Sequence, residues 1–351
     1  FVRFLRAESH KGSGLEAVVV EVEAELPQKP AYPIQRFEPL AFIFDPEDRL
    51  QQEIWALRKG FPITPHQQLA PSPEPRRLCL YEEPYTELRT RWSAFGLLDR
   101  AREWLRLTAR GELHQEDQAL EPLLAQTENT AILPHDFFTS VTGKDFVPAN
   151  VARTDGGDEH FILVLPQAQW PDKQAPDFVL STFVTGPIEH GVITHQPSNL
   201  LQLHEFCQNA SFDLVKALRE RIRAWKTAGN MQNLATSKLV LCLHFPKVRH
   251  ANGPAESREI WLFATRTSLL QVGVAVGILE VESGLAGLII PETRPQIAAV
   301  EKVGILPMRP TFVLDTTAAA TLNGTAPDKT KILAVGLGAV GSHVFDNLLK
   351  S

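Results

Sequence analysis

Five prolines fall within the stretch 62–75, PITPHQQLAPSPEP, and no other feature of the chain restricts its folding as tightly. Each proline lacks an N–H and constrains the residue before it, so this stretch can be neither helix interior nor central strand. It must be an ordered extended loop or a spacer, with different structure on its two sides. Ahead of it, 15–26 (LEAVVVEVEAEL) alternates apolar and acidic residues in its second half. The run 37–44 (FEPLAFIF) is β-rich and follows a Pro-containing turn. Together these predict a small antiparallel meander. Behind the loop, 92–110 (WSAFGLLDRAREWLRLTAR) places Phe95, Leu98, Arg102 and Leu105 on helical spacing, with Leu97, Ala101, Trp104 and Thr108 beside them. Gly111 is the expected C-cap. Strands, a crossing loop and a packing helix thus make a first α+β unit over residues 1–126.

The 351 residues, at roughly 150 per domain, allow about two domains and a remainder. From Asn129 the texture changes. The runs 161–165, 178–183, 239–245 and 260–264 read as strands, and 199–226 reads as one long helix with Phe206, Leu214, Leu218, Ile222 and Trp225 as its spine. A mixed α/β unit over 127–326 is expected, with 316–330 (TTAAATLNGTAPDKT) as the best linker. With 44% apolar and 22% charged residues, the composition excludes disordered, collagen-like and membrane classes. A net charge of −6 gives no electrostatic reason to expect nucleic acid or an anionic membrane as partner. Three cysteines are too few for a disulfide framework and fit a cytoplasmic location. The apolar run near 269–279 falls short of a membrane span, and Phe1–His10 lacks a signal-peptide core. A start at Phe1 and a finish within a helical pattern at Ser351 read as the edges of a piece of something longer.

That last segment, 331–351 (KILAVGLGAVGSHVFDNLLKS), is an apolar strand, a G-x-G-x-x-G turn at Gly336, Gly338 and Gly341, and an amphipathic helix. The glycines let phosphate oxygens approach amide groups at a helix N-terminus. Residues 327–351 are therefore expected to open a third, Rossmann-like unit. The acidic residue that usually follows about twenty positions later lies beyond the segment.

The form GLGAVGSH, with Ser342 directly after the last glycine, resembles the start of the adenylation domain of ThiF-like and ubiquitin-activating enzymes. Upstream, 75–104 (PRRLCLYEEPYTELRTRWSAFGLLDRAREW) resembles the active-site stretch of ubiquitin-conjugating enzymes: a Cys-Leu pair after a Pro-containing loop, then a helix led by Trp. Phe61–Pro65 (FPITP) looks like that family's Tyr-Pro…Pro element. The order covers about residues 15–125. A conjugating domain ahead of an adenylation domain is similar to bacterial fusions of ubiquitin-like activating and conjugating enzymes, some found in anti-phage defence operons. The resemblance implies a ubiquitin-like protein, a conjugation target and the chain's own C-terminal adenylation domain as partners. It also implies ATP as the cofactor of that domain, and a second copy of the protein, since ThiF-like enzymes often dimerise.

On that resemblance Cys79 is the nucleophile. Acyl transfer needs an accessible, partly ionised thiol. Arg76 and Arg77 favour the thiolate and Glu82 and Glu83 oppose it. In an extended segment Arg77, Cys79 and Tyr81 share one side, so no net shift is expected. The alternative is a small buried hydrophobe, which is what Cys207 and Cys242 look like from their apolar settings. One departure stands out: the family's His-Pro-Asn motif, whose Asn helps stabilise the oxyanion, has no Asn here. His66 or Gln68 could supply that function, and Glu82 or Glu83 could take a proton from an incoming lysine; each also fits a plain loop role. The eleven histidines include no H-x-x-x-H, and no C-x-x-C occurs, so spacing supports no metal site and none is expected. Two other functions stay open: a non-catalytic docking module that keeps the conjugating fold, favoured by the missing Asn, and a sulfur-transfer enzyme, disfavoured by the upstream conjugating-type unit.

Overall fold

The computed structural model describes residues 1–324 except 71, 82, 123–126, 128, 138–146, 154–159, 165–175, 192–194, 230–234, 283–284, 289–296 and 315. The first sheet is an antiparallel meander of β1 (Val2–Ser9), β2 (Glu16–Glu23), β3 (Phe37–Phe44) and β4 (Glu53–Ala56). Two short strands from the proline-rich region, β5 (Gln67–Gln68) and β6 (Arg76–Leu78), extend it in the order β1-β2-β3-β4-β6-β5. Strand β3 coincides with the expected run, and β2 is shorter than 15–26. Strand β1 was not expected. It is an exposed edge strand, so burial imposes no pattern on it, and its charges, such as Arg3 paired with Glu21 at 2.9 Å, guard the edge.

A short helix α1 (Tyr85–Leu88) and a 3-10 turn (Arg89–Arg91) lead to α2 (Ala94–Arg110). Ser93 caps α2 by accepting from the Gly96 N–H at 3.0 Å, and Gly111 ends it in a left-handed conformation, φ 74°. Of the two helical rows, the one carrying Leu97, Ala101, Trp104 and Thr108 is buried, joined by Leu105, while Phe95 is 81% exposed. This face packs on Val20, Val22, Leu40, Phe42, Ile54 and Leu78, and the Trp104 ring stacks on Phe61 at 6.2 Å between centroids. Beside that core the Glu38 carboxylate is fully buried and takes a two-point ion pair from Arg58, both contacts at 2.9 Å.

The second sheet comprises β7 (Thr130–Leu133), β8 (Val147–Arg153), β9 (His160–Val164), β10 (Phe178–Val184), β11 (Ile188–Glu189), β12 (Lys238–Val248), β13 (Ala255–Ser268) and β16 (Ile305–Phe312); β14 (Leu279–Glu282) and β15 (Leu285–Leu288) form a separate hairpin. Strand β10 pairs with β8 on one edge and with β12 on the other, so the hydrogen-bonded order returns on itself. In β12, Leu239, Leu241, Leu243 and Phe245 join one core while Val240 and Cys242 join another on the opposite face. Burial on both faces explains why 239–243 reads as an unbroken apolar run. Helices α3 (Leu200–Asn209), α4 (Leu214–Thr227) and α5 (Leu269–Ala275) supply much of the first of these cores. Two further helices follow among the described residues, α6 (Ile297–Glu301) and α7 (Thr316–Leu322).

Two expectations need correction. The single helix over 199–226 is two helices. Ser211 adopts φ 52°, the N–H groups of Ser211 and Phe212 turn back onto Gln208 and Cys207, and Asp213 caps the second helix through the Lys216 N–H. The apolar period runs through the break because both helices face one core. The stretch 316–330 begins as helix α7, since TTAAATL has the alanines a helix accommodates. From residue 325 on the stretch, like the glycine turn at 336–341, lies outside the described residues. Among the described residues no helix is long and apolar enough to cross a membrane.

The two sheets meet along the proline-rich loop. The Gln196 N–H donates to the Ala70 carbonyl at 3.0 Å, and Leu69 packs into the core of the second sheet. Gly191, at φ 74°, lies so close to Pro65 that a β-carbon there would sit 3.0 Å from the Pro65 Cα. Gly191→Ala should therefore cost about 1–2 kcal/mol from its left-handed backbone alone, more with the Pro65 contact, read as a lower denaturation midpoint.

Candidate active site

Strand β6 decides where the Cys79 thiol points. Leu78 and Leu80 are buried in the first core, while Arg77, Cys79 and Tyr81 alternate with them and are half-buried. The thiol thus sits on the partly open row, anchored by buried leucines on either side. Its backbone N–H donates to the His66 carbonyl at 2.9 Å, and its Sγ lies 3.7 Å from the Tyr81 carbonyl oxygen. Helix α2 braces the same segment: the Arg100 Nε donates to the Leu80 carbonyl at 3.0 Å, and its guanidinium lies 5.9 Å from the Tyr81 ring centre. Arg77 pairs with Glu53 at 3.1 Å; burial lowers its pKa, and Glu53 and then Cys79 oppose that shift. Arg100 and Glu53 were not singled out in the sequence, because nothing in their spacing marks them.

The other candidates divide. Gln68 pairs in register with Arg77, which puts it on the same face as Cys79 as a diagonal neighbour; its Oε1 is buried without a hydrogen-bond partner. His66 faces Cys79 across the hairpin through its carbonyl, in a left-handed conformation of φ 57°. Its imidazole is engaged elsewhere, with Nδ1 3.0 Å from Glu121 Oε1 and Nε2 3.4 Å from His114 Nδ1. Glu83 pairs with Arg91, and its carboxyl is held below the usual range, first by its own backbone N–H and then by Arg91 and Arg100, which makes it a weaker base. Glu82, and the nucleotide-loop candidates Gly336, Gly338, Gly341 and Ser342, lie outside the described residues.

The remaining thiols are enclosed. Cys207 and Cys242 are fully buried, and burial pushes the Cys207 thiol up to about 12 and that of Cys242 higher still. A rise of that size leaves Cys207 about 10³-fold less thiolate at neutral pH than an ordinary cysteine. A limiting amount of alkylating reagent should therefore label Cys79 first in the native protein, with the other two reacting only after denaturation, as peptide mass mapping would show.

A second constellation borders this one. Glu121 Oε1 accepts from the backbone N–H of His66 as well as contacting its ring. The His114 ring lies 4.4 Å, between centroids, from that of His190, the residue before Gly191. His190 is only 8% exposed, and burial, then His114, Lys247, Arg249 and His250, lowers its pKa to about 4. His114, Glu121 and His190 were missed because they come from three separate segments.

Comparison with known proteins adds one finding. Residues 6–142 match the model of prokaryotic E2 family A; E2 proteins are ubiquitin-conjugating enzymes. The match supports an E2-like domain of bacterial type over these residues and suggests, in general terms, ubiquitin-like conjugation, a transferase activity that involves a ubiquitin-like protein and targets. The match includes Cys79, His66, His114 and Glu121. None of the curated proteins matches the chain.

Proposed function

We propose that residues 1–126 form a conjugating domain in which Cys79 receives the C-terminus of a ubiquitin-like protein as a thioester and passes it to a target amine. The observation that carries this reading is the setting of Cys79: half-exposed at the end of β6, held between two core leucines, within a segment that matches an E2 family. The Cys79 thiolate attacks the carbonyl of the carrier thioester, the carrier thiolate leaves, and the acyl group moves to Sγ. A target amine then attacks that carbonyl, the amide forms, the Cys79 thiolate departs, and solvent or a nearby base takes the amine proton. Gln68, on the same face, is the side-chain amide available to the oxyanion. The sequence from residue 327 would open an adenylation unit that uses ATP to activate the same ubiquitin-like C-terminus, with residues 127–326 joining the two. An anti-phage role follows only from the resemblance to defence-associated fusions.

A second reading is a conjugating-fold module that docks its partner without chemistry. It is favoured by the missing Asn and by the side chain of His66, which is occupied by Glu121 and His114. Incubating the full-length protein with its ubiquitin-like partner and ATP separates the two: a reducible covalent adduct that disappears in Cys79→Ala supports the transferase, and no adduct from the unaltered protein leaves the docking module.

A further inference from the structure

We infer that His66, His114 and Glu121 form a binding site for a divalent transition metal of the zinc class, with His190 supplying a further nitrogen. One ligand atom from each of the first three can be chosen so that all lie within 4.8 Å of one another, and all three side chains are half-buried. Donor atoms around a tetrahedral zinc with bonds near 2.0–2.1 Å stand about 3.4 Å apart. The contacts already present, 3.0 Å from His66 Nδ1 to Glu121 Oε1 and 3.4 Å from His66 Nε2 to His114 Nδ1, use opposite nitrogens of one ring, so an ion takes one of these nitrogens and the remaining donor swings toward it from within the 4.8 Å that the three ligand atoms span. Two imidazoles and a carboxylate are donors that zinc, cobalt, nickel and copper accept, whereas magnesium and calcium favour all-oxygen shells.

His190 strengthens the assignment from the other side of the seam. It is 8% exposed, its Nδ1 has no hydrogen-bond partner, and its ring lies against that of His114. A fourth donor of this kind would close the coordination, as structural zinc sites require. His114 and His190 line an open cavity between the two sheets, which gives an ion a route in. The neighbouring cations do not bar it. Lys247 Nζ is bound to the Glu121 carbonyl and, at 2.9 Å, to Glu259, and Arg249 is paired with Glu256 at 2.9 Å. The Glu121 carbonyl held by Lys247 is a different group from its ligating carboxylate.

A metal here would be a clasp. It would join the loop after Pro65, the segment beyond α2 and the turn after β11, and so tie the two sheets together. It would also fix His66, whose carbonyl holds the Cys79 N–H. The inference stands apart from the conjugation reading, because binding is measured directly.

The test uses untagged, chelator-stripped protein titrated with Zn²⁺ against a chromophoric chelator, and with Co²⁺ to record visible absorption. One equivalent of tight binding and the band pattern of four-coordinate Co²⁺ with nitrogen and oxygen donors are expected. His114→Ala should weaken binding about 100-fold or more, since even outer-shell changes at such sites cost 10–100-fold. Glu121→Gln, which is isosteric and guards against misfolding, should also weaken it, while His10→Ala, at an exposed turn, should not. Zinc should raise the melting temperature of the unaltered protein and not that of His114→Ala. The absence of stoichiometric binding by the unaltered protein, or binding that survives both His114→Ala and Glu121→Gln, would overturn the inference.

Discussion

Replacing Cys79 by alanine should abolish the reductant-sensitive adduct with the ubiquitin-like protein, whereas Cys207→Ala or Cys242→Ala should leave it. Alanine removes the only half-exposed thiol of the three and adds nothing to the loop, so the expected change is complete loss. Cys79→Ser is the more informative variant. A hydroxyl is far less ionised than a thiol at neutral pH and is a weaker nucleophile. Any adduct on the serine variant should therefore form much more slowly, and as an ester that resists thiol reductants. A docking module predicts no covalent species for any of these proteins and unaltered non-covalent binding in all of them. Gel mobility with and without reductant, followed by peptide mapping, distinguishes the outcomes.

Glu38→Ala should destabilise the protein by about 3–5 kcal/mol, the usual cost of removing one partner of a buried ion pair. Against the roughly 5–15 kcal/mol that holds a typical domain together, that is a large fraction. The Glu38 side chain is 0% exposed and that of Arg58 17%, so the alanine variant leaves a partly buried guanidinium without its carboxylate. The carboxylate also accepts the Gln35 N–H at 2.7 Å, while Arg58 reaches the carbonyls of Pro33 and Gly60 and lies over the Phe61 ring. Gly60 in turn donates to Glu74, so the pair anchors both ends of the loop that carries His66. Arg58→Met should cost less in the Glu38→Ala background than alone, because the charge it removes is already unpaired there. Urea denaturation of the four proteins gives the cycle; equal costs in both backgrounds would show that the pair is not coupled.

How much could be read from the chain depended on whether one side of an element or several segments together made the feature. Strand β3 and helix α2 were legible because each buries a single face, and the period of its apolar residues reports that face directly. The choice between the two rows of α2 was not, since Phe95 and Leu97 are equally apolar and only the sheet beneath selects Leu97. Strand β1 escaped because an edge exposed on both sides leaves no pattern. The break at Ser211 escaped because α3 and α4 lean on one core, and their apolar spacing carries across the turn.

The candidate site divides in the same way. That Cys79 is a thiol after a proline-rich loop, followed by a Trp-led helix, is written in residue order, and so is the absence of an Asn before it. The burial of Leu78 and Leu80, which turns Cys79 to the open row, needs the sheet. The meeting of His66, His114, Glu121 and His190 needs more: a hairpin, the exit from a helix and a turn of the second sheet must converge at one seam. Metal-ligand spacing in a sequence reveals ligands that share a helix or a knuckle. These four share neither, so local order determined the thiol and its loop, and only long-range packing decided what surrounds them.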